Sequence, residues 1–302
     1  MNLQIESSVS DALARNQPVV ALESTIFSEL GLPAPANVEA LERCQRAVVD
    51  AGALPALTAV LDGVPTIGHA DPAVICGPAR KVAQRDLGVA VAQRWSYGAT
   101  TVSASVTLAA AAGIEVFATG GIGGVHRGWS DGGQAGCGDI SADLGALARW
   151  PVITVSAGAK IFLDLAATVE RLETDGVPVL GWRCDEFPAF HARTSGLKVP
   201  HRVESAVEVA AIARAHWTLG GGGILVVAPV PEAHALPRDR LDQAVDSALA
   251  EAERQGARGA EITPMVLAAL GRATDGDSIP TNLALAENNA GVAAQIARAL
   301  CA

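Results

Sequence analysis

Short apolar runs alternate along the chain with longer stretches in which apolar residues recur every three or four positions. Runs of four to five apolar residues fit strands buried on both faces, and the longer period fits amphipathic helices. The runs predict strands at residues 19–22, 57–61, 116–119, 152–155, 177–181 and 224–227. The helical spacing predicts helices at 36–51, 101–112, 141–149, 161–174, 205–215 and 238–253. Repeated switching between the two periods predicts an α/β fold on a mixed or parallel sheet. Asp62-Gly63, set between two apolar runs, marks a hairpin and so an antiparallel part of that sheet. After Val230-Pro231 the strand pattern stops, and residues 238–300 read as a helical C-terminal portion. No linker or internal repeat divides the chain, so residues 1–302 are expected to form a single domain.

Composition narrows the function. Half of the residues are apolar and only 4% are aromatic, which predicts closely spaced helices on the sheet. The formal charge of −10 argues against a nucleic-acid partner. The alanine-rich runs are short and interrupted, so no membrane span is expected. The N-terminus lacks the basic start and apolar stretch of a signal peptide. The five cysteines are scattered and form no CxxC, which fits free thiols in the cytoplasm.

Lysine is scarce: Lys81, Lys160 and Lys198 are the three in the chain. Lys160 ends the apolar run that begins at Val152. A primary amine in such a place loses solvation, its pKa falls, and it becomes a nucleophile able to form an imine. The alternative is a snorkelling side chain with its ammonium in water. Glu23 closes the run Val19–Leu22. A carboxylate at a strand end points into the crevice where open α/β sheets bind ligands, and partial burial suits it to proton transfer. A surface or capping residue is the alternative.

Residues 119–128 hold five glycines together with His126 and Arg127, a loop able to enclose phosphate or a polyhydroxylated sugar with backbone amides. It has neither a dinucleotide fingerprint nor a P-loop signature. Asp139, Ser141 and Asp143 follow; the two acids, four apart, are expected to share one face of a helical turn. Two acids and a hydroxyl suit a hard, water-rich cation, and a capped, solvated helix end is the other reading. Lys81 lies in a small basic cluster, and Thr101-Val102-Ser103 offers amides at a helix N-terminus, a ready anion site. Asn288-Asn289 inside the last helical pattern suggests one amide facing a polar cleft. Trp129, beside the glycine loop, offers a stacking face.

Taken in order, these segments resemble the pseudouridine-5'-phosphate glycosidase family. The pieces that carry the resemblance are Ala21–Thr25, Lys81 with Arg85-Asp86-Leu87, Gly98–Val102, Phe117–Gly128, Asp139–Leu144, Ala157–Lys160, Asp185–Phe190 and Asn288-Asn289. The resemblance implies an α/β/α sandwich, a homotrimer, and dependence on Mn²⁺ or Mg²⁺. It implies reversible making and breaking of the carbon–carbon bond between C1 of ribose 5-phosphate and uracil. Lys160 would be the nucleophile, Glu23 the proton carrier and Asp139 the metal ligand. Lys81, Val102 by its backbone, Ser141, Ala142 and Asp143 would contact the substrate, joined by His126 and Asn289 from the residue reading. The chain departs from the family pattern at Glu29, at Gln84, at His191 and in the longer link 129–138. These changes fall toward the aglycone end. They favour an aromatic polyketide acceptor, as in the C-glycosynthase offshoot of the family that serves antibiotic biosynthesis, with uracil second.

Overall fold

The computed structural model describes residues 3–68, 71–127, 139–255 and 276–302, together with Met265, Val266, Ala269, Gly271, Arg272 and Thr274. The strands are β1 (Gln4–Ile5), β2 (Val19–Leu22), β3 (Leu54–Leu61), β4 (Val64–Gly68), β5 (Arg80–Val82), β6 (Tyr97–Thr100) and β7 (Val116–Ala118). They continue with β8 (Val125–His126), β9 (Ile153–Ser156), β10 (Leu163–Asp164), β11 (Val179–Trp182), β12 (His201–Val203) and β13 (Ile224–Val227).

Among the described residues, eleven strands form one mixed sheet whose main path runs β1-β4-β3-β2-β7-β9-β13-β11-β12. From β3 to β12 every pairing on that path is parallel. The hairpin at Asp62-Gly63 forms as expected, with Leu61 opposite Val64 across an antiparallel β3–β4 pair. β6 also runs antiparallel to β3 and carries β5 in parallel at its other edge.

Alternation along each central strand feeds two helical layers. Ile224 and Val226 pack with one core, while Leu225 and Val227 pack with the other. Helices Ala36–Asp50, Ala206–Thr218 and Ser278–Cys301 cover the first face. Helices Val102–Ala112, Ala142–Arg149, Leu165–Thr174 and Arg238–Arg254 lie on the other. The result is the expected α/β/α sandwich. The C-terminal helix Ser278–Cys301 is a member of the helical layer, packed on Ala36–Asp50 and over β2, β7 and β9.

The helix expected at 161–174 begins later, at Leu165. Asp164 caps it by accepting the N–H of Ala167 at 2.9 Å, and Leu163-Asp164 instead pairs with β8. β5 and β6 escape the sequence pattern because Arg80-Lys81 is exposed and Tyr97–Thr100 holds glycine and alanine in place of β-branched apolar residues.

Candidate active site

The carboxyl ends of β2, β7 and β9 open on one side of the sheet, where ligands bind in folds of this kind. Glu23 follows β2 directly and is 8% exposed. Thr119 follows β7, is 4% exposed, and donates its hydroxyl to Oε1 of Glu23. Lys160 lies four residues past the end of β9, so it is carried on a loop and not on the strand itself. That loop is clipped to the glycine loop: Lys160 N–H donates to the Ile122 carbonyl at 3.1 Å, and Ile122 N–H donates to the Gly158 carbonyl at 3.0 Å. Gly158 has φ +82°, and a Cβ there would strike the Pro188 carbonyl, so glycine is required at this turn.

Burial pushes Glu23 up to about 7; the Thr119 donor and the Lys160 charge oppose this, Asp143 adds to it, and Lys81 opposes. Lys81 is exposed on β5, yet neighbouring groups crowd it enough that its pKa is lowered first by desolvation and next by the charge of Lys160. Burial also lowers His126; Asp139 opposes, while Lys160 and Lys81 add to the fall. These mutual fields place Glu23, Lys81, Lys160, Asp143 and His126 in one cluster.

Asp143 differs from expectation. It does not share a helix face with Asp139, because Ser141 adopts extended backbone and caps a helix that starts only at Ala142. The Asp143 carboxylate turns inward, 6% exposed. Its two oxygens accept the N–H of Ser103 and of Gly123, each at 2.9 Å. A Cβ on Gly123 would collide with Ser141 Oγ, so that close approach needs glycine. Val102, the first residue of its helix, is buried beside this latch. Ala142 is exposed at the start of the next helix.

Asp139 stands next to His126, with Oδ2 at 3.7 Å from Nε2. Among the described residues that oxygen is buried without a hydrogen-bond partner, and a donor of this kind suits a hard cation. Among the described residues no group of three or more histidine, cysteine or acidic side chains gathers. Asp139 is the residue that could hold an Mn²⁺ or Mg²⁺, with water or substrate oxygens completing the shell.

Asn289 is fully buried and holds the glycine loop, donating Nδ2 to the carbonyls of Thr119 at 2.8 Å and Gly120 at 3.2 Å. Among the described residues its buried Oδ1 has no hydrogen-bond partner. Leu285 and Asn282 lie on the same helix face, four and seven residues earlier. Leu285, Ile26 and Phe190 close around Gly120, each within 3.6 Å of the place a Cβ would take. His191, behind Phe190 at 4.4 Å between ring centroids, is fully buried and pushed down to about 4 by desolvation. Among the described residues its ring nitrogens meet no hydrogen-bond geometry, although the Asn282 side chain lies close enough to oppose the shift. Glu29 is exposed, one residue beyond buried Ser28. Trp129 and the rest of the 129–138 link lie outside the described residues. The sequence reading missed Thr119, Asn282 and the wall of Ile26, Phe190 and Leu285. A hydroxyl ending an apolar strand just before Gly-Gly was the available signal for Thr119.

The sequence profile of the family described as "Indigoidine synthase A like protein" matches residues 8–299. A pseudouridine-5'-phosphate glycosidase of Myxococcus xanthus is 47% identical over 303 residues, covering 98% of each chain. One from Chloroflexus aurantiacus is 47% identical over 308 residues, covering 98% of this chain and 97% of its own. The chain belongs to the pseudouridine-5'-phosphate glycosidase family. Solved structures agree. The prealnumycin C-glycosynthase AlnA, in complex with ribulose 5-phosphate, superposes with a TM-score of 0.89 at 35% identity, covering 99% of this chain and 97% of its own. An indigoidine synthase A-like protein of Thermotoga maritima gives 0.88 at 33% identity over the same shares. Like its relatives, this family member is an enzyme of carbon–carbon glycosidic bonds. Among the described residues no helix is long and apolar enough to cross a membrane.

Proposed function

We propose that this enzyme reversibly splits pseudouridine 5'-phosphate into uracil and ribose 5-phosphate. The observation that carries the reading is the buried Glu23 carboxyl, raised to about 7 and set in the field of Lys160 and Lys81. Two ammonium groups that repel each other favour an anionic substrate. A carboxyl near 7 is matched to proton transfer at neutral pH.

Lys160 Nζ, freed of its proton, attacks C1 of the sugar. The C1–O4 bond breaks and O4 takes the proton that the attached nitrogen gives up, which opens the ring and restores the nitrogen lone pair. The nitrogen lone pair then forms C1=N while the C1–C5 bond to uracil breaks. The electron pair goes to C5, which takes its proton from Glu23. Water hydrolyses the imine and releases ribose 5-phosphate. Lys81 and the amides at the start of the Val102–Ala112 helix hold the phosphosugar. A cation at Asp139 would supply positive charge beside the sugar oxygens. The ribulose 5-phosphate bound by AlnA cannot close to a furanose, because its O5 is phosphorylated, which supports an open-chain pentose phosphate in a site of this design.

The residue departures favour an aromatic acceptor, and so does the fold match to AlnA. The relatives favour uracil, since glycosidases at 47% identity stand nearer than the C-glycosynthase at 35%. Uracil is therefore placed first and the aromatic acceptor second. Ribose 5-phosphate offered with uracil and a polycyclic phenol in competition tests this by mass spectrometry. Pseudouridine 5'-phosphate is the expected product. An aromatic C-riboside formed without it would overturn the order.

A further inference from the structure

Thr119 has each of its polar groups anchored. Its N–H donates to the Val155 carbonyl at 3.0 Å, and its carbonyl accepts the Asn289 amide at 2.8 Å. The backbone is thus pinned between β9 and the C-terminal helix, and the hydroxyl is aimed at Oε1 of Glu23. Both side chains are more than nine-tenths buried, so water does not compete for that hydrogen bond.

We propose that Thr119 is a positioning residue for the proton carrier: its hydroxyl fixes Oε1 of Glu23 as an acceptor and leaves Oε2 to carry the reacting proton. A carboxyl group free to turn would present either oxygen, and half of its orientations would hold the proton away from the substrate. The donor also favours the ionised form and so offsets part of the desolvation. The groups facing Glu23 from the surrounding elements are Lys160 after β9, Lys81 on β5, Asp143 on the Ala142–Arg149 helix and Cys44 on the Ala36–Asp50 helix. Burial holds the Cys44 thiol protonated, so it brings no charge of its own. Among the described residues, Thr119 is the neutral side-chain donor that acts on this carboxyl. Asn289 takes part at one remove, by holding the Thr119 carbonyl.

The inference rests on Glu23 as proton carrier, and the test separates the two. Profiles of kcat/KM against pH are measured for cleavage of pseudouridine 5'-phosphate by wild type, Thr119→Val, Thr119→Ala, Thr119→Ser and Glu23→Gln. Valine keeps the shape and removes the donor. The alkaline limb should move up by about one pH unit in both the valine and alanine variants, and return in serine. Borohydride trapping of ribose 5-phosphate on Lys160 should be unchanged in all three, which a general structural defect would not allow. A limb lost in Glu23→Gln but unmoved in the valine and alanine variants overturns the role of Thr119. Failure of serine to restore the limb overturns it too. A limb that survives Glu23→Gln overturns the Glu23 assignment and the inference with it.

Discussion

Oδ1 of Asp143 accepts the backbone N–H of Ser103 at 2.9 Å across a separation of forty residues. The other oxygen takes the N–H of Gly123, so one buried carboxylate locks the start of the Val102–Ala112 helix to the glycine loop. Asp143→Asn replaces one acceptor by an amide donor that faces an N–H. Unfolding in urea should show a loss of about 1.5–3 kcal/mol, the range for a hydrogen bond to a charged group. The KM for the phosphosugar should rise in parallel. Unchanged stability would show that the latch contributes nothing.

Lys160 should be trapped by borohydride in the presence of ribose 5-phosphate, and peptide mapping should place the adduct on that residue. Lys160→Arg keeps the charge and cannot form an imine. An adduct on Lys81, or one that persists in the arginine variant, would move the nucleophile elsewhere.

Glu23, raised to about 7 by burial, gives a pH dependence of opposite sign in the two directions. Cleavage needs the protonated acid, so kcat/KM should fall as pH rises through about 7. Synthesis needs the carboxylate to take the proton from the aglycone carbon, so kcat/KM should fall as pH drops through the same midpoint. Glu23→Gln should slow both directions by ~10²–10⁴-fold. Limbs of the same sign in both directions would rule out a single proton carrier.

Asp139 should account for divalent-cation affinity. Calorimetry with Mn²⁺ should show binding weakened by roughly tenfold or more in Asp139→Asn, at the scale by which metal sites respond to lost support. Equal affinity in the two proteins would place the ion on other groups.

Lys81 should discriminate for the phosphate. Lys81→Ala is expected to raise KM for ribose 5-phosphate by roughly ten- to a hundredfold, with little effect on free ribose, as for loss of a charge-assisted contact of about 1.5–3 kcal/mol. An equal loss for both sugars would assign Lys81 to the sugar hydroxyls.

Period and turn chemistry in the sequence determined much of the frame. Val19–Leu22 and Ile224–Val227 are strands with the bounds their apolar runs predict, because a strand buried on both faces has no polar position to blur its ends. The Asp62-Gly63 turn set the β3–β4 register for an equally local reason. The rarity of lysine drew attention to Lys160, and the end of an apolar run to Glu23. Tertiary structure decided what periodicity does not encode. Tyr97–Thr100 is a strand because it lies between β3 and β5, not because its residues prefer one. Asp143 turns inward because Ser141 breaks the helix before it and two distant N–H groups need an acceptor. Thr119 meets Glu23 across 96 residues because β2 and β7 are neighbours in the sheet, and Asn289 reaches both Thr119 and Gly120 because the C-terminal helix crosses those strand ends. Hydrogen bonds at such separations depend on which elements pack together, and only the folded chain fixes that.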